Sequence, residues 1–438
     1  MEGSDRRAEA ACPRFAVRDS LYTPVRVVEL DLDEPDELRS PGGSGPADPE
    51  GRVLALVRLH GHPLGLVQAT GTAGDPASLC RALVDAAYRE LHVPAQSTAA
   101  PAARHSRVGR ARVQAGTPLV SVVVATHNRP AMLRQCLDTL LRNPYPRYEV
   151  IVVDSAPDSG AAETLVRGRY ADRVRYLRED LPGVARAHNR ALAAARGEIL
   201  AIADDDCLLD PDWVGAVAAG FADDRVGCVT GLILPAELET AAQAALHEHG
   251  NFEKGFASQA WSLDRPTRDP LFPFTAGQFG SGANMAFRTD VLRAIGGFDP
   301  VIGTGTLAFG GHDLLAFFQV ITRGWTLVYQ PDAIVWHRHR RTERDLYGQA
   351  YGYGAGLGAY LVAAVAREPA VLPAMLRRLP RGVRYALARS RRSGRVAGVG
   401  RTSPRTCSSR ISRLELEGLL YGPVGYLRSA LRSRTAAR

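Results

Sequence analysis

From Pro118 onward, short apolar runs alternate with helical stretches, and this rhythm narrows the possible folds more than any other feature of the chain. VSVVVA (120–125) is an uninterrupted, β-branched run, the pattern of a strand covered on both faces. In the AMLRQCLDTLLR that follows, apolar residues at 132, 133, 136, 137, 140 and 141 share one helical face. Asn128 and Pro130 read as the cap and first-turn proline of that helix. YEVIVVD (148–154), VRYLRE (174–179), VARAHNRALAAARG (184–197), EILAIAD (198–204), PDWVGAVAAGF (211–221) and GCVTGLI (227–233) continue the alternation. Strands and helices of these lengths predict βαβ units and an α/β fold with a mostly parallel sheet flanked by helices. Such sheets bind ligands at the carboxyl ends of their strands. Two strands here end in acid, at Asp154 and at the run Asp204-Asp205-Asp206.

Three successive carboxylates after a buried strand repel one another, and a divalent cation with oxygen ligands is the usual compensation. Asp204 and Asp206 lie on one side of an extended chain, which suits Mg²⁺ or Mn²⁺ held jointly with substrate phosphates. A solvated acidic loop is the bland alternative. AIVWHRHRR (333–341) is another strand ending in His337 and His339. Beside the acid run, His337 reads as a metal or diphosphate contact. GTGTLAFGGHDLLAFFQVITRGW (303–325) is a glycine-rich loop feeding a helix with Asp313 in its first turn. The helix dipole favours a carboxylate there; its functional reading is a general base for an acceptor hydroxyl. In FGSGANMAF (279–287) small residues admit close backbone approach, and Asn284 can bond a sugar hydroxyl. No GxGxxG follows the first strand and no Walker A loop occurs in the chain.

With 438 residues the chain exceeds one ordinary core. At 45% hydrophobic and 23% charged residues it is neither disordered throughout, collagenous nor a polytopic membrane protein. Six scattered cysteines without a CxxC pair and no apolar run in MEGSDRRAEAACPRF predict a reducing, cytoplasmic setting. Residues 1–14 read as disordered, 15–98 as a small α/β accessory module, and 99–116 as a linker. Residues 117–342 form the main domain, and 343–438 a helical, Arg-rich region. The net charge of +8 is uneven: residues 367–438 hold 17 arginines against three acids, while the rest of the chain is acidic. A basic tail on an acidic body points to an anionic membrane surface, on the inner face of the cell membrane, rather than to nucleic acid. QAYGYGAGLGAYLVAAVA (349–366) is short and glycine-rich for a bilayer span and reads as a helix packed on the main domain.

In this order, VSVVVATHNRP, YEVIVVDSAPDS, LPGVARAHNRALAAARGEILAIADDD, FGSGANMAFRTDVLRAIGGFDP, GTGTLAFGGHD and WHRHRR resemble glycosyltransferase family 2 and its GT-A fold, over about residues 118–355. The resemblance implies an inverting, hexosyltransferase-like enzyme using a nucleotide-diphospho-sugar donor and Mg²⁺ or Mn²⁺. It implies a glycan, lipid-linked or small-molecule acceptor, in polysaccharide, glycolipid or other glycoconjugate synthesis. By position, Thr126, Arg129, Asp154 and Asp205 fall on the nucleotide side. Asp204 and Asp206 match the D-x-D metal motif, and His337 the late metal-site histidine. Gly282 to Asn284 fall on the donor-sugar or acceptor side, and Asp313 matches the catalytic base. The chain departs from the family pattern at three places. His312 replaces the usual Glu and is read here as a substrate-side residue. Ala187-His188-Asn189 replaces a common A-R-N. Leu307 and Phe309 stand where close members often carry Pro and Arg. The change at 312 opens a second reading, a catalytically impaired sugar-nucleotide or glycan-binding protein on the same fold.

Overall fold

The structure is a computed structural model that describes residues 24–43, 45–72, 75–91, 93, 117–250, 252–265, 267–392 and 405–436. The expected disordered start (1–14) and linker (99–116) lie outside these residues. Near the N-terminus, strands β1 (Val25–Asp31), β2 (Leu38–Arg39), β3 (Gly51–Leu59) and β4 (His62–Gly71) form a sheet in the order β2-β1-β3-β4. Helix α1 (Pro76–Glu90) covers it, opened by the Asp75 carboxylate accepting from the Ser78 N–H. Val28, Leu30, Val53, Ala55 and Val57 pack with Leu79, Leu83, Ala86 and Ala87 in a core of their own.

The main domain runs through β5 (Val120–Thr126), α2 (Pro130–Leu140), β6 (Tyr148–Ser155), α3 (Ala161–Arg169), β7 (Val174–Glu179), α4 (Val184–Ala194) and β8 (Ile199–Asp204). It continues through β9 (Cys207–Leu209), α5 (Trp213–Ala219), β10 (Val226–Pro235), α6 (Ala241–Gly250), β11 (Gln259–Trp261), β12 (Asn284–Arg288), α7 (Thr289–Ala294), α8 (His312–Thr322) and β13 (Thr326–His337). The strand order is β11-β13-β10-β12-β8-β5-β6-β7, with β9 paired to β13. Strands β8, β5, β6 and β7 are mutually parallel, as are β10 and β13, but β12 enters antiparallel between β10 and β8. The sheet is therefore mixed rather than mostly parallel. An apolar run reveals a buried strand but not its direction. Alternate residues of β5 feed two cores: Val123 joins one face, and Val120, Val122 and Val124 the other.

Asn128 does not cap α2. It takes φ 53°, and its side chain instead holds Asp158 through both its amide and its carbonyl. After β13 the chain is helical in α9 (Glu343–Arg367), α10 (Leu372–Arg392) and α11 (Arg405–Ala436). Among the described residues no single helix is long and apolar enough to cross a membrane; α9 and the start of α10 meet that test only as a pair bent by 112°. Much of α9 is buried against its neighbours.

Candidate active site

Parallel register brings the acid-ending strands into a row. Thr126 of β5 pairs with Asp154 of β6, and Ala125 with Asp204 of β8. After a tight turn, β9 pairs antiparallel with β13, which sets His337 opposite Cys207 and therefore beside Asp206. The His337 Nε2 lies 3.3 Å from Asp206 Oδ1, and its Nδ1 lies 3.1 Å from the His339 Nδ1. The Arg338 N–H donates to the Asp206 carbonyl at 2.9 Å, locking this junction. One ligand atom each from Asp204, Asp206 and His337 lies within 4.8 Å of the others.

Arg129, leading into α2, spans two of the three acids, at 2.6 Å from Asp205 Oδ1 and 2.9 Å from Asp206 Oδ2. The Thr126 hydroxyl donates to Asp205 Oδ2 at 2.7 Å. Thr126 and Asp205 are 2% and 1% exposed and are engaged with each other and with Arg129. They hold the arginine in place. Asp154 is fully buried; its Oδ2 accepts from the Tyr176 hydroxyl at 2.9 Å, and its Oδ1 has no hydrogen-bond partner.

Electrostatics follow from this crowding. Burial first, then Asp206 and Asp205, push Asp204 up to about 7. Burial raises Asp205 to about 6 against the pull of Arg129. Burial would raise Asp206 too, but His337, Arg129 and Arg340 together hold it below the usual carboxylate range. Burial also lowers His337, against the pull of Asp206.

Asp313 opens α8 on Gly311, which has φ 91°. A Cβ at Gly311 would stand 2.3 Å from the Gly356 carbonyl oxygen, so only glycine lets the helix start so close to α9. Asp313 Oδ2 accepts from the Gly282 N–H at 2.9 Å, and the Asp313 charge is among those that raise Asp204. The structure thus gathers Asp204, Asp206, His337, Arg129, Gly282 and Asp313 at one end of the sheet.

Two expected site residues point elsewhere. Asn284 is 1% exposed; its Oδ1 accepts from the Trp213 indole at 2.9 Å, and its amide donates to the carbonyls of Leu232 at 3.0 Å and Ala333 at 2.7 Å. It ties β10, β12 and β13 together and has no amide left for a sugar. His312 is buried, with ring centroid 5.4 Å from His188 and 5.6 Å from Phe298, and neither of its nitrogens has a hydrogen-bond partner. It faces the core rather than substrate, so the His-for-Glu change leaves Asp313 at its post. Tyr176 and Arg340, the last 3.9 Å from Asp206, escaped sequence reasoning as site residues, and His339 was weighed there but set behind His337. Tyr176 reaches Asp154 only through the β6–β7 register, whereas His339 and Arg340 were already inside the WHRHRR motif.

Acids at the carboxyl ends of β6 and β8 thus flank β5, and His337 of β13 closes the cluster with Asp204 and Asp206. Residues 121–296 match Glycosyl transferase family 2. Among curated proteins it is 28% identical over 230 residues to the Pre-mycofactocin glycosyltransferase of Mycobacterium tuberculosis, covering 52% of this chain and 44% of that protein. It is 33% identical over 117 residues to Glycosyltransferase AglE of Haloferax volcanii, covering 25% of this chain and 38% of that one. The chain spans less than half the length of the curated relatives it matches. Similar solved structures include the mannosyltransferase PcManGT from Pyrobaculum calidifontis in complex with GDP-Man and Mn²⁺, at 21% identity and TM-score 0.46, covering 70% of this chain and 87% of that one.

Proposed function

We propose that the protein transfers a sugar from a nucleotide-diphospho-sugar to an acceptor hydroxyl, with inversion at the anomeric carbon and with a divalent cation as cofactor. One observation carries the reading: Asp204, Asp206 and His337 converge to within 4.8 Å at the strand ends, on the side of the sheet that carries Asp313. The residues fit a cation. Asp206 Oδ1 is buried without a hydrogen-bond partner, and two carboxylates with one imidazole suit Mn²⁺, or Mg²⁺ through the oxygens. A cation held there would supply neutralisation of the charge gathering on the departing nucleoside diphosphate.

The chain's own groups do the rest. Asp154, whose buried Oδ1 has no hydrogen-bond partner, would accept from the nucleoside. Arg129, already 35% exposed, can turn from the acids to the diphosphate. The Asp313 carboxylate takes the proton of the acceptor hydroxyl as that oxygen bonds to the anomeric carbon. The bond to the diphosphate oxygen breaks on the opposite face, so configuration inverts in one displacement. Asp313→Asn keeps the shape but cannot take the proton. Transfer should fall about 10²–10⁴-fold, with Mn²⁺ and nucleotide affinity by calorimetry unchanged. Wild-type transfer by this variant would remove Asp313 as the base. Asp206→Ala should lose both Mn²⁺ binding and transfer, and full turnover by that variant would remove the metal assignment.

A further inference from the structure

We propose that α11 and the first half of α10 dock the protein peripherally on an anionic lipid surface, through leucine rows that face solvent between arginines. The claim goes beyond sugar transfer and rests on how α11 is packed. Its inner face is built of Gly418, Gly422, Gly425 and Ser429, all buried against the body of the protein. Helices α9 and α11 touch backbone to backbone: an added Cβ would lie 2.1 Å from the Tyr351 oxygen at Gly418, 2.6 Å from the Ala355 oxygen at Gly422, and 1.9 Å from the Glu415 oxygen at Gly354. Its outer face carries Leu420, Val424, Leu427 and Leu431, exposed to 73%, 49%, 59% and 64%. A helix on the surface of a water-soluble domain puts its large apolar residues inward; α11 does so at Ile411 but turns these four outward. On α10, Leu372, Leu376, Leu379 and Val383 form a second exposed row. Of fourteen exposed large apolar side chains among the described residues, eight lie in these two helices, which marks the region as a docking surface.

Charge selects the occupant. Arg428 and Arg432 are exposed beside the α11 row, and Arg377, Arg381 and Arg384 beside the α10 row. A nucleic acid would use the arginines and leave the leucines in water. A second copy would bury the leucines but set arginine against arginine. A membrane with acidic headgroups satisfies both, since apolar residues enter the acyl boundary while guanidinium groups stay at phosphate level. No single described helix can span a bilayer, so the attachment is peripheral. Helix α11 also backs onto the loop before Asp313: a Cβ at Gly425 would lie 2.7 Å from the Leu307 oxygen, and Arg186 reaches Ser433 at 3.2 Å. Docking therefore holds the acceptor side of the site near the lipid.

The test is flotation of the full-length protein with mixed phosphatidylglycerol–phosphatidylcholine vesicles, against phosphatidylcholine alone. We expect binding to the anionic vesicles only, weakened about tenfold or more in the variant Leu420→Ser/Val424→Ser/Leu427→Ser/Leu431→Ser. The variant Arg428→Glu/Arg432→Glu should lose binding at low salt, and it serves alone if the serine variant does not fold by thermal unfolding. Absence of wild-type flotation, or equal flotation by the folded variants, overturns the proposal. So does a dimer that the serine variant turns into monomer without change in flotation, or oligonucleotide binding that outcompetes the vesicles. The readout is independent of sugar transfer, so it stands or falls apart from the proposed reaction.

Discussion

Asp204 shows how one side chain's environment becomes a measurable pH dependence. With its carboxyl held at about 7 by burial and by two neighbouring carboxylates, a proton and a cation compete for the same oxygens. Mn²⁺ affinity should therefore rise between pH 6 and 8 and drop about tenfold per unit below 7. Calorimetric titration at stepped pH reads this, and a flat profile would detach Asp204 from the metal. In chelator the sign for stability is opposite. The folded carboxyl holds its proton more tightly than the unfolded chain does, so its contribution is full below the unfolded value and lost as pH rises through about 7. His188 and His312 pose a second residue-scale question. Two departures from the family pattern, one at a position commonly Arg and one usually Glu, meet in space as rings 5.4 Å apart with no hydrogen-bond partner on any of their four nitrogens. Burial lowers the pKa of both, so the pair is neutral where the family pattern would place opposite charges. His312→Glu alone puts a carboxylate in an apolar pocket and should cost about 3–5 kcal/mol. Adding His188→Arg should recover more than ~1 kcal/mol of that in a denaturant double-mutant cycle. Additive losses would show the positions to be independent.

Among the elements, the α9–α11 pair depends most plainly on residue size. The sequence showed a helix over 349–366 with four glycines but not which neighbour required them. Gly354 faces Glu415 with no room for a methyl group. Gly354→Ala should lower stability by about 1–3 kcal/mol through overpacking. Gly348, on the same helix, has nothing within 4 Å of an added Cβ. Gly348→Ala should be neutral or stabilising by up to ~1 kcal/mol, from helix propensity alone. Thermal melts of the two variants separate packing from propensity; equal shifts would place the loss in the backbone rather than the interface.

For the whole molecule, the N-terminal sheet is joined to the main domain behind the Asp204–Asp206–His337 cluster. Arg58 of β3 lies 2.7 Å from Glu29 and also pairs with Asp210, four residues after Asp206; the three side chains are 12%, 9% and 4% exposed. Gly42 packs against Leu208 and Leu209 of β9, and the Arg142 guanidinium donates to its carbonyl at 3.2 Å. The module thus braces the β9 segment that sets Asp206 beside His337. Arg58→Ala leaves two buried carboxylates unpaired and should cost about 3–5 kcal/mol in urea unfolding. It should also weaken Mn²⁺ binding although Arg58 is no ligand. Unchanged Mn²⁺ affinity in a folded variant would confine the module to a structural role.

The sequence by itself determined what is local. β-branched runs bounded by amphipathic stretches mark strands β5 to β8 and their helices, because period and apolar content depend only on neighbouring residues. The acid run and the Asp313 helix start were legible for the same reason, since repulsion within 204–206 and a carboxylate at a helix N-terminus are short-range facts. Only the tertiary structure decided what depends on register and direction. The antiparallel entry of β12, the pairing of β9 with β13 that carries His337 to Asp206, and the reach of Tyr176 to Asp154 join residues 22 to 131 positions apart. The same reason turns Asn284 and His312 to the interior. Which face of an element a polar residue occupies is set by what packs against it, and no spacing along the chain encodes the partner.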